Sequence, residues 1–237
     1  MDNFPIFINL KEKSVLVVGA GDIALRKIVL LIKAGKNITV IAKSACLELK
    51  QLIVEHSLIF HQRAFRDDDI TNYDLIIAAT NDQKLNARIS KIARHHKILV
   101  NVVDQPKLCT FTMGSIVERD ALVIAISSAG KAPVLVRLLR EKIETLIPSY
   151  YSFAVQYAGR IRLDIQSKFK SLKKRRLFWE SFFDNESVLK KIQLVKKPSP
   201  SNLKDIIHHV TKYKTGEVYL VGAGPGERDL LTLRALK

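Results

Sequence analysis

Residues 15–24 read Val-Leu-Val-Val-Gly-Ala-Gly-Asp-Ile-Ala. Four consecutive apolar residues predict a buried strand, and Gly19-Ala20-Gly21 turns the chain into a helix predicted over Asp22–Ala34. In that helix Ile28, Leu31 and Ile32 share one face. The pattern is G-x-G-x-x-A between a strand and a helix, the context a dinucleotide fingerprint requires. Gly19 permits the tight turn, Gly21 lets a pyrophosphate approach the backbone, and Ala24 lets the helix lie close to the strand. The helix N-terminus adds free N–H groups and a partial positive charge. The competing reading is a purely structural glycine turn, and the match of both flanks favours dinucleotide binding.

The rest of the first half repeats this unit. Strands are predicted at 37–42, 58–60, 73–79 and 98–103, and helices at 45–56 and 85–96. Alternation of this kind predicts an α/β fold, a Rossmann-type doubly wound parallel sheet. The second strand ends in Lys43-Ser44, where such folds often carry a carboxylate for the ribose hydroxyls. Ser44 and the backbone can still reach a ribose, and Lys43 would tolerate a 2′-phosphate, so NAD and NADP both stay open. Thr80-Asn81-Asp82 forms a polar corner where ligands sit in open parallel sheets. The last strand runs into Asp104, at that same edge. A carboxylate there is a candidate general base if partly desolvated; the other reading is a turn aspartate before Gln105-Pro106.

After Pro106 the pattern changes. Strands are predicted at 110–113, 115–118 and 121–127, with Glu118-Arg119-Asp120 as a hairpin corner. An antiparallel edge here is free to pair with a second copy. Ser127-Ser128-Ala129-Gly130-Lys131-Ala132-Pro133 then leads into a helix over 134–147. Serines and a lysine at a helix start make an anion site, or simply a loop with a serine cap. Residues 149–211 predict helices alone, at 150–169, 175–183, 186–195 and 203–210. Lys196–Ser201 reads as a linker. A strand at 216–220, the turn Gly222-Ala223-Gly224-Pro225-Gly226 and a helix from Glu227 read as the opening of a further domain.

The net charge is +16, which attracts polyanions. Nucleic acid and a polycarboxylate small molecule are both compatible with it. Lys173-Lys174-Arg175-Arg176 lies beside Leu177-Phe178-Trp179, and basic residues next to aromatics can bind nucleic acid. The favoured reading is a helix start with a solvated basic face, because no nucleic-acid fold signature accompanies it. No apolar run reaches ~18 residues, which predicts no membrane span, and Met1–Pro5 lacks the basic lead of a signal peptide. Cys46 and Cys109 show no metal or redox spacing, and no His cluster has zinc spacing, so a pre-built metal cage is not expected. A cytoplasmic location is the simplest expectation.

Taken together and in order, Gly19–Lys27, Ala78–Asp82, Asn101–Asp104 and Ser127–Pro133 resemble the siroheme synthase family, in its precorrin-2 dehydrogenase and sirohydrochlorin ferrochelatase half. Val221–Gly226 with Asp229–Leu233 resembles the opening of that family's uroporphyrinogen-III methyltransferase half. The resemblance implies an NAD-binding domain over 1–113, a dimerisation region over 114–148, a helical tetrapyrrole-binding domain over 149–215 and a methyltransferase start over 216–237. It implies NAD-dependent oxidation of precorrin-2 to sirohydrochlorin, then insertion of ferrous iron to give siroheme, in a homodimer. Asp104 falls on the aspartate taken as base in both steps. Asp22-Ile23 and Lys43-Ser44 fall on NAD contacts, beside Gly19, Gly21 and Thr80. Ser128 falls on a phosphorylatable serine near the tetrapyrrole site. Pro225 falls on an S-adenosylmethionine contact, with no methylation expected from so short a segment. Arg119, Lys131 and Arg137 are candidate partners for the macrocycle's carboxylates. The alternative is a non-enzymatic dinucleotide sensor or a basic nucleic-acid-binding protein.

Overall fold

A computed structural model describes residues 3–194 and 200–212, which divide into two compact units. Among the described residues the first comprises 3–117 and 124–144, the second 118–123, 145–194 and 200–212. Pro225 and the expected strand, turn and helix of 216–237 lie outside the described residues, as does most of the expected linker.

The first unit is built on a five-stranded parallel sheet: β1 (Val15–Val18), β2 (Ile38–Ala42), β3 (Ile59–Gln62), β4 (Leu75–Ala78) and β5 (Leu99–Val102), in the order β3-β2-β1-β4-β5. Its helices are α1 (Asp22–Ala34), α2 (Leu47–Glu55) and α3 (Gln83–His95). β1 and β4, at the centre, are continuously apolar and buried because both of their faces are covered, whereas the edge strand β3 reads Ile-Phe-His-Gln and is mostly exposed. Val15 and Val17 point into one core with Ala24, Ile28 and Leu31 of α1 and Leu49 of α2. Leu16 and Val18 point the other way, into a core with Ile89 and Ala93 of α3. The two-residue period of a strand thus gives β1 a partner layer on each side.

Two expectations change past β5. Thr110–Met113 is not a strand. Thr110 Oγ1 accepts the Val100 N–H at 2.8 Å, and Asn101 Nδ2 donates to the Phe111 carbonyl at 3.0 Å. Among the described residues only one backbone bond joins the segment to β5, from Thr110 N–H to Val100 O at 2.8 Å, and side chains take the neighbouring positions, so no ladder forms. The hairpin of β6 (Ser115–Arg119) and β7 (Leu122–Ile126) turns at Asp120, whose φ is +50°, one residue later than expected.

Helix α4 (Pro133–Leu146) follows. It buries none of its residues: Leu135 is 54% exposed and Leu138 45%.

The second unit contains α5 (Tyr150–Lys168), α6 (Leu172–Asp184), α7 (Glu186–Gln193) and α8 (Pro200–Lys212). Tyr157, Ile161, Phe178, Phe182 and Leu189 lie at its centre. The hairpin tip belongs to this unit: Ser152 Oγ donates to the Asp120 carboxylate, and Arg119 Nε donates to the Ile147 carbonyl at 3.0 Å. Helix α6 starts at Leu172, not Arg175, so the basic run lies within its first turns. There Arg176 pairs with Glu180 one turn on at 2.7 Å.

Candidate functional site

The carboxyl ends of β1, β4 and β5 lie side by side, because Val18 pairs with Ala78 and Ala78 with Val102. The residues expected at the dinucleotide, and Asp104, gather along this edge. Neighbouring strands are about 4.8 Å apart, so the β1 and β5 ends are separated by about 10 Å.

Past β1 the chain turns at Gly19, whose φ is +110°. A Cβ there would sit 2.3 Å from the Ala79 carbonyl oxygen, so only glycine fits. Its N–H donates to Ile41 O at 2.9 Å, and Cys46 N donates to Ala20 O at 3.1 Å. These two bonds tie the glycine corner to the end of β2. Gly21 caps α1 with no side chain, and a Cβ built on it meets no protein atom within 4 Å. The N–H groups of the first turn have no intrahelical partners there. The space in front of Gly21 is open rather than filled by packing.

That space is a cleft of roughly 950 Å³ lined by Gly19, Gly21, Asp22, Ile23, Lys43, Ser44 and Thr80. All seven residues expected at a dinucleotide therefore share one cavity. Asn81, Asp82, Arg63 and Phe65 complete its walls. Open space at Gly21, uncapped N–H groups and an extended cleft fit a dinucleotide: the pyrophosphate would face the α1 N-terminus. Thr80 is held from behind. Its hydroxyl bonds Asn86 Oδ1 at 2.7 Å, and Asn86 Nδ2 donates to Thr80 O at 2.9 Å. Asp82 caps α3 by accepting the Lys84 and Leu85 N–H groups. Sequence reading missed Asn86; a polar residue at a buried α3 position was its signal.

Asp104 lies two residues beyond β5, with φ +58° and an exposed side chain. It lines a second cavity of roughly 520 Å³, together with Lys27, Cys109, Ser128 and Arg137. Cys109 Sγ accepts the Val102 N–H at 3.1 Å and faces Val102 O at 3.2 Å. This thiol closes off the end of β5. Ser128 Oγ accepts the Ala132 N–H at 3.0 Å, so the serine caps the start of α4 while facing the cavity.

Lys27 closes the Gly19–Lys27 motif. It is half-buried on α1 and makes no ion pair among the described residues. Burial and the neighbouring Arg26 charge hold its ammonium below the ordinary lysine value, while Asp104 and Cys109 pull the other way. An incompletely compensated cation facing a cavity is suited to an anionic ligand.

Two expected carboxylate partners are not among the residues lining this cavity. Arg119 belongs to the second unit, where its guanidinium also donates to its neighbour's carbonyl, Glu118 O, at 2.9 Å. Lys131 is exposed in the β7–α4 loop and does not line the Asp104 cavity.

Comparison with known proteins follows this layout. Residues 6–115 match a family described as putative NAD(P)-binding. Residues 119–146 match the sirohaem biosynthesis protein central family, and 154–193 the sirohaem synthase dimerisation region. The dimerisation label thus falls on α5–α7, not on the 114–148 segment expected to carry that role. Across its whole length the chain is 45% identical to the siroheme synthase of Ruthia magnifica and 42% identical to that of Nitrosomonas europaea. In both cases it covers 50% of the relative. The solved structure of SirC, a precorrin-2 dehydrogenase, shares the fold with a TM-score of 0.67, at 23% identity over 89% of this chain and 100% of that one. Spanning about half the length of the curated relatives it matches, the chain belongs to the siroheme synthase family.

Proposed function

We propose that this chain oxidises precorrin-2 to sirohydrochlorin with NAD⁺ and then inserts ferrous iron to give siroheme. The observation that carries the reading is the shared sheet edge: a dinucleotide-shaped cleft at Gly21, and Asp104 about two strand spacings away. A bound nicotinamide would supply the hydride acceptor. The overall change is loss of one hydride and one proton from precorrin-2, giving sirohydrochlorin, NADH and H⁺. The Asp104 carboxylate receives the proton. Iron insertion releases two pyrrole N–H protons as the metal binds the ring nitrogens, and the same carboxylate accepts them in turn. Ferrous iron is here a substrate.

Precorrin-2 carries many carboxylates. Lys27 and Arg137, both lining the Asp104 cavity, hold some of them and fix the macrocycle beside the base. Ser128 lies in the same wall, so phosphorylation there would put negative charge where the substrate's own charges must sit. The chain acts as a homodimer, a reading supported by the match of 154–193 to the sirohaem synthase dimerisation region.

The test is incubation with precorrin-2 and NAD⁺, followed by its visible spectrum, then Fe²⁺ for the second step. Asp104→Ala should lose both conversions while still binding NAD⁺. Both steps running at near wild-type rates would remove Asp104 from the mechanism. Salt-sensitive RNA or DNA binding with no turnover would favour the binding-protein alternative.

A further inference from the structure

The end of β2 poses a problem. Folds of this kind commonly select NAD over NADP with a carboxylate on the ribose hydroxyls, and an arginine in that place accepts the 2′-phosphate. Here β2 ends in Ala42, Lys43 and Ser44, without a carboxylate. The neighbouring strand adds a second cation. Ala42 pairs with Gln62, so Arg63 is the next residue at the sheet edge, about one strand spacing from Lys43. Lys43, Ser44 and Arg63 all line the cleft that contains Gly19 and Gly21. By residue type alone this corner invites a 2′-phosphate.

The geometry around Arg63 says otherwise. Its Nη1 donates to Asp69 Oδ2 at 2.7 Å and its Nη2 to Asp69 Oδ1 at 2.6 Å, a two-pronged pair. Nη1 also donates to Ala64 O at 3.1 Å. Asp69 is fixed in turn, because its Oδ2 accepts the Arg66 N–H at 2.7 Å at the start of the 3-10 turn Asp67–Ile70. The Asp69 side chain is 13% exposed and that of Arg63 33%, so the pair is partly shielded from water. Two-pronged charge-assisted bonds of this kind are stronger and more directional than neutral ones.

We infer that Asp69 is a specificity-determining residue: by engaging Arg63 it turns a phosphate-seeking corner into one that takes a dinucleotide with a free 2′-hydroxyl. A 2′-phosphate would have to break the pair or approach the Asp69 carboxylate, and Lys43 alone remains to meet it. A 2′-hydroxyl carries no charge and needs only Ser44 or backbone. The inference rests on the dinucleotide reading of the cleft.

The experiment is calorimetric titration of the full chain with NAD⁺ and with NADP⁺, with no tetrapyrrole present. Wild type should bind NAD⁺ tenfold or more tightly than NADP⁺. Asp69→Asn keeps an oxygen for the Arg66 N–H but removes the charge. It should tighten NADP⁺ roughly tenfold and leave NAD⁺ nearly unchanged. Adding Arg63→Gln to that variant should cancel the gain. An unchanged NAD⁺/NADP⁺ ratio in a normally folded Asp69→Asn protein overturns the inference alone. Failure of wild type to bind either nucleotide overturns the dinucleotide reading and the inference with it. Should Asp69→Asn fail to fold, Arg63→Gln by itself decides. An unaltered ratio supports the locked pair, and selective loss of NADP⁺ binding shows that the guanidinium already reaches the phosphate.

Discussion

Gly19 and Gly21 are two residues apart in one motif, yet alanine should fail at them for opposite reasons. At Gly19 an alanine Cβ would lie 2.3 Å from the Ala79 carbonyl oxygen and 2.7 Å from its carbon. Both atoms belong to backbone just beyond β4, which cannot yield without disturbing the β1–β4 pairing. The φ of +110° adds the strain of a conformation that L side chains rarely adopt, of order 1–3 kcal/mol. With the overlap included, Gly19→Ala should destabilise the first unit by about 3 kcal/mol or more. Gly21 has φ −90° and open space where a Cβ would go. Gly21→Ala should therefore cost the free protein only about 0.5–1 kcal/mol, the usual loss of a poorer N-cap. It should nonetheless weaken NAD⁺ binding by tenfold or more, because the methyl group projects into space the pyrophosphate needs. Trp179 is the chain's only tryptophan and lies in the second unit, so its fluorescence does not report directly on this change. Amide hydrogen exchange along β1 and β4 does, paired with NAD⁺ titration. Slow, wild-type exchange in Gly19→Ala would refute the steric argument. Unchanged NAD⁺ affinity in Gly21→Ala would show that no pyrophosphate lies against that backbone.

Other outcomes follow from single contacts. Lys27→Met removes an incompletely compensated, half-buried charge, so hydrogen exchange in the first unit should slow by up to about 1 kcal/mol, while sirohydrochlorin binding weakens about tenfold. The folded-state pKa of Lys27 is lowered, so its charge opposes folding at neutral pH. That stability difference should therefore shrink as pH rises through the lowered value towards the unfolded one near ~10.4. Asp69 is shifted down chiefly by its bonds to Arg63, so its contribution is present above about pH 4 and lost as pH falls through the folded value. Acid titration followed by exchange should give wild type a steeper loss below pH 4 than Asp69→Asn. Asn86→Ala should destabilise by about 1–3 kcal/mol, because Thr80 loses its bonds to the Asn86 side chain and keeps only those to Asp82, and should weaken NAD⁺ binding; thermal melts and titration check both parts.

The residues that line the dinucleotide cleft were legible because the Rossmann turn is local. Strand, glycine corner and helix are contiguous, and each position's steric need is met within a few residues of it. The bounds of α1 could be read directly for the same reason. The 110–113 segment was misjudged because apolar alternation cannot reveal that Thr110 and Asn101 side chains would occupy the neighbouring strand edge. The start of α6 was placed late because a run of four cations looks like a solvated lead-in, although lysine and arginine are good helix formers.

Sequence by itself determined the parallel sheet, the glycine corner and the aspartate at its edge, since each follows from hydrophobic period and residue type over short spans. Tertiary structure alone decided which charges meet. Lys27 and Asp104 are 77 positions apart yet line one cavity, and Arg63, which looks like a free cation in the sequence, is held by Asp69. Electrostatic partnership depends on distance through space and on shielding from water, and neither is written in the order of residues along a chain.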